Sequence, residues 1–106
     1  MINVKVYAGV CGMKTLIKAN SEDMQKTLLE IQSDCPDIQN AAEELKELDA
    51  MQEAFGKIGS TKVYEILRKH CKHAACPVPS GIIKAAEAAS GLALPKQATI
   101  TMEKID

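Results

Sequence analysis

The sequence predicts an α+β domain, with a small antiparallel sheet from the first third of the chain and helices from the remainder packed on one face of it. Three observations lead there. Apolar residues recur with a period of two as far as Gln32. From Pro36 onward the apolar spacing becomes i, i+3, i+4, i+7. Short turn signals, with no long crossover, join the strand-like segments, which favours an up-down-up meander with one buried face.

In the first segment Ile2, Val4, Val6 and Ala8 alternate with Asn3, Lys5 and Tyr7. "GVCG" (9–12) supplies a turn, and Thr15, Ile17 and Ala19 then alternate with Lys14, Leu16 and Lys18. "NSED" (20–23) is a second turn signal. Thr27, Leu29 and Ile31 follow, opposed by Lys26, Leu28, Glu30 and Gln32. Pro36 suits a first helical position, and Ile38, Ala41, Ala42 and Leu45 form the stripe of that helix. Glu43, Glu44, Glu47 and Asp49 read as a solvated helix face. A short second helix is predicted over Ala50 to Phe55, stopped by Gly56. Ser60 is the expected N-cap of a third, which turns Val63, Tyr64, Ile66, Leu67, Cys71 and Ala74 toward the core until Pro77 and Pro79 break it. A last helix runs from about Ser80 to Ala89 and stops at Ser90-Gly91. "KQATITMEK" (96–104) alternates again and is a candidate fourth, C-terminal strand. The expectation is a three-stranded meander, with or without that fourth strand, under three to four helices.

At 106 residues the chain is expected to be a single domain, 1–106, large enough for one hydrophobic core. With 46% apolar residues, no Trp, one Phe and two Tyr, that core is aliphatic. A formal net charge of -1 offers no basic field to a phosphate backbone, so nucleic acid is not an expected partner. No apolar run approaches the roughly 18–20 residues that span a bilayer, and the first ten residues lack the apolar core of a signal peptide. The expectation is a cytoplasmic protein, where structural disulfides are rare. Its four cysteines then read as metal ligands, redox thiols or small buried apolar residues.

Their placement narrows the choice. In an up-down-up meander the turn holding Cys11 and the exit of the third strand, which leads to Cys35, lie at one end of the sheet. Cys35 and Cys76 are each followed by proline and each precede a predicted helix. The free N–H groups and dipole of a helix N-terminus lower a thiol pKa. In "KHCKHAACPVPSG" (69–81), Cys71 lies on the apolar stripe of the third helix, where core packing competes with ligation. His73 is three residues from Cys76, whereas His70 reads as a residue that finishes a helix. The candidate metal ligands are therefore Cys11, Cys35 and Cys76, with Cys71, His73 or an exogenous group in the fourth position. Such a set suits an iron–sulfur (Fe–S) cluster or Zn(II).

No Gly-rich phosphate loop, G-x-S-x-G, H-E-x-x-H or paired C-x-x-C motif is present. A cysteine hydrolase would need His70 or His73 as base for Cys76, and no orienting third group stands out. The reading is thus of a small metal-binding protein rather than an enzyme. Two alternatives stand beside it. One is a thiol-redox protein in which Cys76 is the low-pKa thiol and Cys71 or Cys11 resolves it. The other is an interaction module whose cysteines are incidental. An exposed apolar sheet face would suit a dimer.

The layout also resembles the U-type iron–sulfur cluster assembly scaffolds, the NifU N-terminal domain family, with a NifU/SufE-like fold. The matching pieces are "VCGMKTLIKA" (10–19), "LEIQSDCPDIQNAAEEL" (29–45) and "ACPVPSGIIKAAEAAS" (75–90). The resemblance implies a scaffold or carrier with Cys11, Cys35 and Cys76 as cluster ligands, and iron–sulfur assembly or acceptor proteins as partners. The chain departs from that family at Met13, where an acidic residue aids cluster release, and at Ala75, where a histidine precedes the third cysteine. "CGM", "DCP" and "KHAACPVPSG" are in addition similar to stretches of a small uncharacterised family from anaerobes, which implies no function.

Overall fold

The three alternating runs form β1 (Ile2–Tyr7), β2 (Lys14–Ser21) and β3 (Lys26–Ser33) in the computed structural model, which describes residues 1–106. They are followed by α1 (Pro36–Ala42), β4 (Glu47–Asp49), α2 (Ala50–Phe55), α3 (Lys62–His70) and α4 (Val78–Ala89). All strand pairs are antiparallel, in the order β1-β2-β3-β4. The architecture is the α+β one expected. Register aligns the inward residues across the sheet: Val4 opposes Ile17, which opposes Ile31, and Ile2, Ala19 and Leu29 make the next row. Against this face α4 covers β1 and β2, while α1 covers β3. The core is centred on Ile17, Ile38, Leu45, Val63 and Ile82, all fully buried. The opposite face carries Lys5, Lys14, Lys26, Leu28 and Glu30 and is exposed, as one-sided antiparallel sheets are. No helix is long and apolar enough to cross a membrane.

The fourth strand is not the C-terminal one. Residues 96–104 form no strand and are exposed. Its place is taken by Glu47–Asp49, which the acidic run disguised as a helix face. The helix ends at Ala42, and buried Leu45 and Leu48 draw the next residues onto β3, where Leu48 opposes Thr27. Asp49 then caps α2, accepting hydrogen bonds from the N–H groups of Met51 and Gln52 at 3.1 and 3.2 Å. A strand of three residues with one inward side chain is too short to show a period.

The third helix also differs at both ends. Its N-cap is Thr61, one residue past Ser60, whose hydroxyl donates instead to the Lys57 carbonyl. The Thr61 side chain makes no capping bond; buried Glu53 of α2 does that work, accepting from the Val63 N–H at 3.3 Å. At the other end Cys71 is extended, with ψ 125, so the helix stops ahead of the prolines and Ala74 is exposed rather than in the core. The last helix begins at Val78, two residues earlier than expected, because Pro79 fits its first turn where no N–H is needed. This helix approaches β1 closely at Gly81, where a Cβ would lie 2.6 Å from Val6 Cγ2.

Candidate thiol centre

Three cysteines stand at element ends that meet. Cys35 is the N-cap of α1; its N–H donates to Ser33 Oγ at 3.1 Å, and its carbonyl accepts from the Gln39 N–H at 2.9 Å. Cys71 is the C-cap of α3, its N–H closing on the Leu67 carbonyl at 2.7 Å. A tight loop then reverses the chain. The His73 carbonyl accepts from the Cys76 N–H at 3.1 Å and from the Cys71 thiol at 3.7 Å. Cys76 precedes α4, and the Val78 N–H bonds to its thiol. All three cysteines are half-buried and packed against the core, and all are free thiols.

The electrostatics centre on Cys76. Burial pushes its thiol above the ordinary value near 9, and the Val78 N–H at the helix start offsets only part of this. The neighbouring thiols, first Cys71 and then Cys35, raise it further, since each disfavours a second negative charge beside it. The low pKa expected of a thiol before a helix is therefore overturned: the helix end is there, but desolvation outweighs it. With iodoacetamide at pH 8, exposed Cys11 is expected to react several-fold faster than Cys76. The Cys76 rate should climb only in the alkaline range where its raised thiol ionises, and peptide mapping by mass spectrometry would follow both sites. Equal rates at pH 8 would contradict the buried, crowded setting.

Residues 2–102 match a family described as a family of unknown function, DUF6951. The chain belongs to it. No curated protein and no solved structure matches the chain.

In this DUF6951 chain the other candidate ligands fare differently. Cys11 is exposed on the β1–β2 hairpin, whose turn is closed by the Gly12 N–H on the Gly9 carbonyl, with both glycines at positive φ. That hairpin and the exit of β3 occupy one end of the sheet, joined through Lys14 N–H to Asp34 Oδ2 at 3.1 Å and Asp34 N–H to the Lys14 carbonyl at 3.0 Å. Cys11 is not among the thiols acting on Cys76. His73 is exposed and contributes its carbonyl rather than its ring to the loop. His70 points elsewhere, binding Glu44, whose carboxyl is held below its ordinary value by Lys69 and then by His70. Cys71 packs against the core, as its apolar-stripe position predicts, and the helix ends on it, which places it at the start of the loop to Cys76.

Cys35, Cys71 and Cys76 are half-buried soft donors, and the first two act electrostatically on the third. The spacing is looser than a finished cage, since no group of three His, Cys, Asp or Glu side chains stands close enough to hold an ion.

Proposed function

We propose that this chain is a small thiolate protein that binds a soft metal or an iron–sulfur cluster through Cys35, Cys71 and Cys76, with Cys11 or His73 as the fourth donor. One observation carries the reading: burial first, and then the neighbouring thiols of Cys71 and Cys35, make the ionisation of Cys76 costly. A bound cation removes that cost, because it replaces the protons and screens the thiolates from each other. Cys35, Cys71 and Cys76 would hold the group, which would supply either a closed structural tie or a cluster for transfer. The protein's own part is to present the sulfurs from three element ends, to shield them by half-burial, and to offer the Val78 N–H to one of them. In this reading the chain is cytoplasmic, a carrier rather than a catalyst, and its partners are iron–sulfur assembly or acceptor proteins.

The test is metal and acid-labile sulfide content on protein purified without oxygen. Zinc or copper near one per chain, or iron with sulfide and absorbance near ~400 nm, is expected. Cys35→Ser, Cys71→Ser and Cys76→Ser should each lower the content several-fold. Absence of metal as purified, together with no uptake of Zn(II), Cu(I) or iron and sulfide on reconstitution, would overturn the reading.

The nearness of Cys71 and Cys76 across one short loop supports a second reading, a redox pair. Mild oxidation would then remove two thiols and lower the intact mass by two hydrogens, with Cys35 still free to titrate.

A further inference from the structure

We propose that residues 97–103 of one copy add as an antiparallel strand to the free edge of β1 in a second copy, reciprocally, so that the chain forms a dimer through exchanged C-terminal strands. As the end strand of the sheet, β1 has an outer row of N–H and C=O groups with no strand beside it. Its sequence, "INVKVY", has no proline to guard that edge. The inward side chains tell the same story: Ile2, Val4 and Val6 are only half-buried, whereas Thr15, Ile17 and Ala19 of the neighbouring strand are fully covered. One strand's width of cover is missing there.

The C-terminal segment has the matching pattern. Ala98, Ile100 and Met102 alternate with Thr99, Thr101 and Glu103, and the run is rich in residues that favour strands. Ile100 is 81% exposed and Met102 86%. Antiparallel pairing with Ile100 opposite Val4 puts Ala98 against Val6 and Met102 against Ile2. The sizes agree with the space available. At Val6 the last helix comes so close that Gly81 has no room for a Cβ, and the small Ala98 falls there. Ile2 lies outside the packed cluster that includes Val4 and Val6, and the long Met102 side chain falls there. On the outer face Lys5 would meet Thr99 and Asn3 would meet Thr101, so no like charges oppose each other.

The same chain does not supply this strand, for its residues 97–103 form none. In that register the strand would have to start beside Val6, near where α4 begins, and the twelve residues of the helix carry the chain about 18 Å onward. The connecting residues are then used in turns: Leu92 and Ala93 N–H both bond to the Glu87 carbonyl, and Lys96 N–H to that of Leu94. A second copy has no such limit. Each copy contributes the six residues of β1 and the seven of the added strand. That is roughly half the 20–30 residues a side of a standard interface, so about 800–1,000 Å² is buried and the dimer should dissociate in the micromolar range.

Analytical ultracentrifugation with chelator and reductant present, to exclude metal or disulfide bridging, tests the proposal on three chains: the full chain, a chain ending at Pro95, and full-length Ile100→Lys. From about 5 to 500 μM the full chain should rise from 11.4 kDa toward twice that mass, while both variants stay monomeric. Hydrogen exchange at Ile2–Tyr7 should be slowed severalfold or more in the full chain at high concentration and not in the variants. A full chain that stays monomeric at 500 μM, or a dimer that survives in both variants, would overturn it. Protection of β1 that needs the tail but not the concentration would mean pairing within one chain, and would overturn the exchange equally.

Discussion

Replacing Ile82 by alanine is expected to lower the stability of the fold by about 2–5 kcal/mol, the range for emptying a fully enclosed aliphatic site. Ile82 is 0% exposed and is among the largest completely buried side chains. It belongs to α4, the helix that covers two of the three long strands and also touches α2 and α3, so little can move to fill the cavity. Chemical denaturation of Ile82→Ala and Ile82→Val would show it; valine should cost only about 0.5–1.5 kcal/mol. Because Cys76 lies two residues before this helix and takes a hydrogen bond from its Val78 N–H, the variant should also loosen the thiol centre under mild denaturant. A loss below about 1 kcal/mol for alanine would mean that the helix does not pack as described.

Gly56→Ala is expected to cost about 1–3 kcal/mol, the range for forcing atoms into a filled site. The backbone there, φ -78 and ψ 167, is open to any residue, so conformation is not the obstacle. The obstacle is space: a Cβ would lie 2.5 Å from Thr61 Cγ2 and 2.8 Å from the Gln52 carbonyl oxygen. The first neighbour is a side chain and the second is backbone, so the two can be separated. Thr61→Ser removes the methyl and should recover part of the loss; the part due to Gln52 should remain. Thr61 Oγ1 is buried without a hydrogen-bond partner, so trimming that residue disturbs no bond of its own. Thermal or urea denaturation of the two single variants and the double variant gives the coupling. Additive effects would show that the contact is not the cause.

The long strands were legible because one face of each is buried, which forces alternation. The buried inward residues Thr15, Ile17, Ala19, Thr27 and Leu29 follow that pattern, whereas Ser21, at the inward end of β2, was read as turn. The limits of α2 were legible as well, since Gly56 closes it. What failed was short or conditional. The strand β4 rests on Leu48 alone, amid carboxylates that are as common on helices. At 96–104 an alternating pattern was present with no strand beside it in the same chain, and alternation records only a disposition to pair. In the thiol centre, the Cys-Pro pairs at 35 and 76 marked positions before helices. The effect of burial on Cys76 was not legible, because depth depends on what α1, α3 and the sheet place around it. The end of α3 at His70, which puts Cys71 at the mouth of the loop, was hidden for the same reason.

The three thiols that meet come from stretches separated by most of the fold's assembly. During synthesis Cys35 is made with the sheet and waits 36 residues for Cys71 and 41 for Cys76. Until α3 and α4 have docked, only the loop pair exists, and a metal arriving then would find two sulfurs instead of three. On the proposed function, a filled site would therefore certify that the late helices have seated on the early strands. Chains stalled halfway would be left with separated thiols, open to capture by small thiol reagents and distinguishable from finished ones by that alone.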